Sequence, residues 1–128
     1  MPSTTLKELE WLHDCTLINV LYEASFSHLS RSIKLTMQCP ADLGYAPWDG
    51  RNLVLTAFGV VVSKYNTCPV AGIETIDTVR PGVSAVVQES TIKARRMGMH
   101  FPNLEFTISF SSGSGLEVIC EELHVDVE

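Results

Sequence analysis

The chain has 128 residues with 9 Lys and Arg against 15 Asp and Glu; the net charge of −6 excludes a basic nucleic-acid binder, and the length points to one domain rather than an array. Hydrophobic residues make up 45% and charged residues 19%, with only 6 Pro and 8 Gly, which excludes a disordered or low-complexity chain. A packed core is expected, burying roughly two-thirds of the surface of the unfolded chain.

The opening Met1-Pro2-Ser3-Thr4-Thr5-Leu6-Lys7-Glu8 lacks the apolar region of a secretory signal, and a run such as Val60-Val61-Val62 is far too short to span a bilayer. This predicts a cytoplasmic protein without a membrane partner. Thr4 or Thr5 can cap a short helix through Trp11, with Leu6, Leu9 and Leu12 on its inner side. Residues 15–22 are apolar at both parities, as are residues 52–62, so both are expected as central strands, either covered on both faces or bent between two sheets. Between them Ile33, Leu35, Met37 and Cys39 alternate with Ser32, Lys34, Thr36 and Gln38, the pattern of a strand with one face in the core and one in water. The stretch 42–50 combines Gly, Pro and Asp-Gly and reads as a loop carrying Tyr45 and Trp48.

Residues 83–97 permit either a helix or two strands turning at Glu89-Ser90, and the early valines with Thr91 and Ile92 favour the strands. Leu104, Phe106, Ile108 and Phe110 form a second clear alternation. The Ser111-Ser112-Gly113-Ser114-Gly115 segment then supplies a hairpin reversal and a return strand from Leu116. In that strand Val118 and Cys120 share one parity while Leu123, Val125 and Val127 share the other, so a β-bulge is expected at Glu121-Glu122.

Val, Ile and Thr number 13, 7 and 10, an enrichment in β-branched residues that favours strands. With turn signals between short strands and no alternating βα units, the expected fold is all-β: an antiparallel β-sandwich or barrel-like single domain over residues 1–128, with a short N-terminal helix. Its core should include Leu35, Met37, Phe58, Phe106 and Ile108. Cys15, Cys39, Cys68 and Cys120 lie 24, 29 and 52 apart with no C-x-x-C pair, which predicts reduced, buried thiols rather than a zinc or redox site.

The segments Trp11-Leu12-His13-Asp14-Cys15-Thr16-Leu17, Leu53-Val54-Leu55-Thr56-Ala57-Phe58-Gly59-Val60 and Phe110-Ser111-Ser112-Gly113-Ser114-Gly115-Leu116 resemble a loose group of small bacterial proteins that open with a Leu-His-Asp strand. The resemblance implies a compact β-sandwich, in a largely uncharacterised group some of whose members resemble immunity proteins of bacterial toxin systems. Some similar sequences carry a Trp-Gly-Pro-Ser-like loop after the central strand, where this chain has Asn66-Thr67-Cys68-Pro69.

His13-Asp14 invites comparison with metal-dependent hydrolases, but that chemistry needs several further His and Asp ligands, and no spacing supplies them. The alternative role is to satisfy backbone groups where the strand begins. Gly113-Ser114-Gly115 is a hairpin rather than a phosphate cradle. Lys93, Arg95 and Arg96, with His100 nearby, form a basic cluster too small for a nucleic-acid footprint. Residues 116–128 contain five acidic residues and no Lys or Arg, leaving 9 − 10 = −1 for the rest of the chain. Alternation places His124, Asp126 and Glu128 on the solvent side, so that with Glu121 and Glu122 they would line an acidic stripe. The leading expectation is a non-enzymatic protein-interaction domain without a cofactor, of the immunity type, with that stripe meeting a basic protein partner. The alternatives are a small-ligand or carbohydrate-binding sandwich using Tyr45 and Trp48, and a hydrolase around His13-Asp14.

Overall fold

A computed structural model describes residues 6–25, 30–41, 50–66, 74–99, 102 and 104–128. The first described element is a 3-10 helix, Leu6–Leu12, whose three-residue period buries Leu9 and Leu12 completely on one side. The helix ends in a turn closed by Cys15 N–H donating to the Leu12 carbonyl, with Asp14 in the left-handed region at φ 68°. Aspartate is among the few side-chain-bearing residues that tolerate that conformation.

Eight antiparallel strands follow: β1 (Thr16–Ser25), β2 (Ser30–Gln38), β3 (Asn52–Phe58), β4 (Val62–Asn66), β5 (Glu74–Pro81), then helix α1 (Ala85–Arg96), β6 (Leu104–Phe110), β7 (Gly115–Cys120) and β8 (Glu122–Val127). The sheet order is β4-β7-β6-β5-β1-β2-β3-β8. The expected all-β fold is thus present. β3 runs almost directly into β4 and β7 into β8, and the two pairs lie side by side. Phe58 pairs with Glu122 and Val62 with Ile119, and across the break Glu121 N–H donates to the Phe58 carbonyl and Val61 N–H to the Ile119 carbonyl. This bent ribbon joins the two ends of the sheet order, so the sheet curls into a barrel-like closure around one apolar interior.

The alternations read from the sequence hold where one face is wet. Ile33, Leu35 and Met37 of β2 and Phe106, Ile108 and Phe110 of β6 point into the core. The expected reversal at residues 111–114 is a hairpin, with Gly113 N–H donating to the Phe110 carbonyl and Gly113 at φ 95°. The expected parity switch falls at Glu121, which separates β7 from β8 and moves the inward set from Val118 and Cys120 to Leu123.

Three expectations are corrected. Residues 83–97 are not strands. β5 and β6 pair directly, Arg80 with Thr107 and Pro81 with Phe106, so no sheet position is open to the segment between them. What remains to be covered is the outer face of β7, and α1 lays Val87 there against Ile119, with Thr91 also buried. Gly82, at φ 90°, turns the chain away from the sheet, and the Ser84 hydroxyl caps the helix by accepting from Val87 N–H. Residues 15–22 do not form a doubly covered strand: Cys15 is buried, but β1 is exposed from Ile18 to Ala24. Phe58 is not in the core. Leu53, Leu55 and Ala57 take the inward parity of β3, leaving Phe58 outside and 42% exposed, edge-on to the His124 ring at 5.1 Å.

Cys15, Cys39 and Cys120 are buried thiols, and Cys68 lies outside the described residues. Among the described residues no helix is long and apolar enough to cross a membrane.

Candidate functional site

The Leu12-His13-Asp14 segment fastens the N-terminal helix to β5. In β5 the register with β6 shifts between Ile76 and Thr78, leaving Asp77 as a bulged residue. The His13 ring donates from Nδ1 to the Asp77 carbonyl, and Asp14 N–H donates to the neighbouring Ile76 carbonyl at 2.8 Å. His13 Nε2 stands 3.5 Å from Asp14 Oδ2, with both side chains about half exposed. Among the described residues no group of three His, Cys, Asp or Glu side chains converges there or elsewhere. The His13 ring thus supplies a donor to the carbonyl of the bulged residue.

On β8, Glu122, His124 and Asp126 share the outward face, opposite Phe58, Thr56 and Val54 of β3. His124 Nε2 and Glu122 Oε2 lie 3.0 Å apart, while His124 Nδ1 is buried and has no partner among the described residues. The His124 side chain is only 12% exposed, so the solvent-facing groups of this strand are chiefly carboxylates. The structure sets Glu121 apart, at the break, with its side chain over Gly59. It also removes Glu117 from the acidic surface, since that residue is buried on β7. Tyr45 and Trp48 lie outside the described residues, as does His100. Lys93, Arg95 and Arg96 occupy the last turn of α1, where positive charge offsets the negative end of the helix dipole.

The surface that sequence reasoning missed is β1. Among the described residues it pairs along its whole length with β2 but with β5 only at Thr16 and Leu17, and none of them pairs with its other edge from Ile18 to Ser25. Ile18 is 56% exposed and Tyr22 50%, and Val20 and Leu21 are close behind. The register with β2 shifts between Leu17 and Asn19, after which Val20 and Tyr22 face the barrel side and Leu21 the outside. The two terminal edges of the sheet order differ from it. β8 presents carboxylates, and β4 is only five residues long with Lys64 exposed, both devices that discourage pairing with another chain. β1 carries Glu23 alone among its ten residues, and Lys34 on β2 partly neutralises it at 3.9 Å. Apolar residues at both parities were the visible signal, but that pattern is the same for a buried strand as for an exposed sticky one.

Comparison with protein-family models, with curated protein sequences and with solved structures gave no match to this chain.

Proposed function

We propose that this chain is a non-enzymatic protein-interaction domain that takes an extended segment of its partner along the open edge of β1. The observation that carries this reading is the run from Ile18 to Tyr22, four exposed apolar side chains on a strand whose second edge has no partner among the described residues. Strand addition satisfies such an edge through backbone hydrogen bonds and takes specificity from alternate side chains. Exposed contiguous apolar surface of this kind marks an interaction site. The resemblance of the Leu12-His13-Asp14 opening to immunity-type proteins gives the reading its specific form, a protein that neutralises a toxin domain. The carboxylates of Glu122 and Asp126 on β8, with Glu121 at the break, suit a basic partner and would act mainly on its rate of association.

The test uses displayed random peptides selected on the folded protein. Selected peptides should alternate apolar residues, and their binding should perturb the backbone amides of residues 18–25 in two-dimensional NMR spectra. Leu21→Lys, on an exposed side chain, should weaken them without altering the spectrum of the free protein elsewhere. Peptides that bind only through other strands, or that ignore Leu21→Lys, would remove β1 as the docking edge.

A further inference from the structure

Beyond Leu17, where the described pairing of β1 with β5 stops, the inward faces of β1 and β4 flank a groove. Val20 and Tyr22 form one wall, Ser63 and Tyr65 the other, and the core residues Ile33 and Leu116 the floor, around a groove of about 360 Å³. Past Tyr22 and Ser63 the groove opens into a second hollow of about 520 Å³ bordered by Arg31, Val60 and Val61. Barrel mouths of this size are favoured positions for small ligands.

The Tyr65 wall is fixed at both ends. Its hydroxyl donates to Glu74 Oε2 at 3.2 Å, and its ring meets Phe110 edge-on at 6.1 Å. The floor is apolar and buried, so whatever lies on it must present an apolar body. The charge at the far end is positive: Arg31 lines it, is exposed and makes no ion pair among the described residues. A planar guanidinium matches a carboxylate in a two-point geometry.

We propose that this groove binds a small amphiphilic monocarboxylate, its aliphatic or aromatic body over Ile33 and Leu116 between Tyr22 and Tyr65, its carboxylate on Arg31. This goes beyond the strand-edge reading and does not depend on it, because the groove uses the inward side chains of β1 rather than its backbone edge.

The experiment is a calorimetric and NMR titration of the folded protein with decanoate, kept below micelle formation, and with decanol as the uncharged match. Decanoate should bind and shift the amides of Val20, Tyr22, Ser63 and Tyr65, with decanol about five-fold weaker, the scale expected of one exposed charge pair. Arg31→Gln should bring the two affinities together. Ser63→Phe, on an exposed position, should block both while leaving the rest of the spectrum unchanged. Absence of decanoate binding at about 1 mM, equal decanoate affinity in Arg31→Gln, or shifts confined to other strands would each overturn the assignment. So would a selected apolar peptide that shifts these same amides while decanoate does not, which would give the groove to a protein segment.

Discussion

Glu117 on β7 accepts a hydrogen bond from the backbone amide of Ser84, the N-cap of α1, from a position 4% exposed beneath the helix. The first turn of α1 contains no acidic residue, so a carboxylate 33 positions later in the chain supplies the negative charge that the positive end of the helix favours. Glu117→Gln keeps an acceptor and loses the charge, and should cost about 0.5–1 kcal/mol. Glu117→Ala leaves the Ser84 amide unsatisfied as well and should cost about 2–3 kcal/mol. Urea denaturation followed by far-ultraviolet circular dichroism measures both, and equal costs for the two variants would contradict the helix-end role of the charge.

Phe106 and Phe58 are chemically identical and oppositely placed, 1% and 42% exposed. Phe106→Ala opens a cavity in the main core and should cost about 3–5 kcal/mol. Phe58→Ala removes an edge contact with His124 and should cost about 1 kcal/mol. Denaturation midpoints that reverse this order would mean that the inward parity of β3 is wrong.

His13 and Asp14 should behave as structural residues. His13→Ala leaves the Asp77 carbonyl without its ring donor and should destabilise by about 1 kcal/mol. Asp14→Gly should be nearly neutral because glycine adopts positive φ freely, whereas Asp14→Val should cost about 1–2 kcal/mol. A stability ranking with valine above glycine would exclude the left-handed turn.

Cys120 is fully buried, and burial pushes its thiol from the ordinary 9.0 up to about 12, with the charge of Glu121 adding to the rise and a backbone hydrogen bond from Glu122 opposing it. A thiol whose folded value is raised contributes its full stability below pH 9 and loses it as pH climbs toward 12, because only the unfolded chain ionises in that window. At one unit above the ordinary value the loss is about 1.4 kcal/mol. Urea midpoints at pH 8 and pH 10 should therefore fall more steeply for the wild type than for Cys120→Ala, by about that amount. Parallel slopes would show that Cys120 ionises as readily in the folded protein as in the unfolded chain.

Gly59 sits at φ 64° where β3 breaks from β4, and a Cβ there would come within 2.6 Å of the Glu121 side chain. Gly59→Ala should cost about 1–2 kcal/mol from the left-handed backbone together with displacement of the glutamate. Adding Glu121→Ala should return the steric part and leave the backbone part, so the double variant should lie between Gly59→Ala and Glu121→Ala. Full additivity of the two changes would mean that the side chains do not meet.

Local alternation by itself determined a large share of this fold. Leu35 and Met37 on β2, Phe106 and Ile108 on β6, the Gly113 hairpin and the parity switch at Glu121 were legible because each strand has one wet face, and a period of two then records which side chains must leave water. The same logic put His124 and Asp126 on the solvent side of β8, which fails for His124, whose side chain is only 12% exposed. It failed wherever both parities are apolar. For β1 the pattern could not say whether a neighbour covers it, since that depends on β5, which joins it from 57 and 59 positions away and, among the described residues, pairs with it at only two. For β3 it could not choose between Phe58 and Ala57, which the pairing with β8 decides. Residues 83–97 became a helix because β5 and β6 closed on each other and left only the outer face of β7 to cover. Glu117 reads in the sequence as one more surface carboxylate, and only the packing of α1 over it makes it a buried helix cap. Periodicity reports the contrast between water and core along a strand; which edges close and which stay open is settled by contacts between residues far apart in the chain.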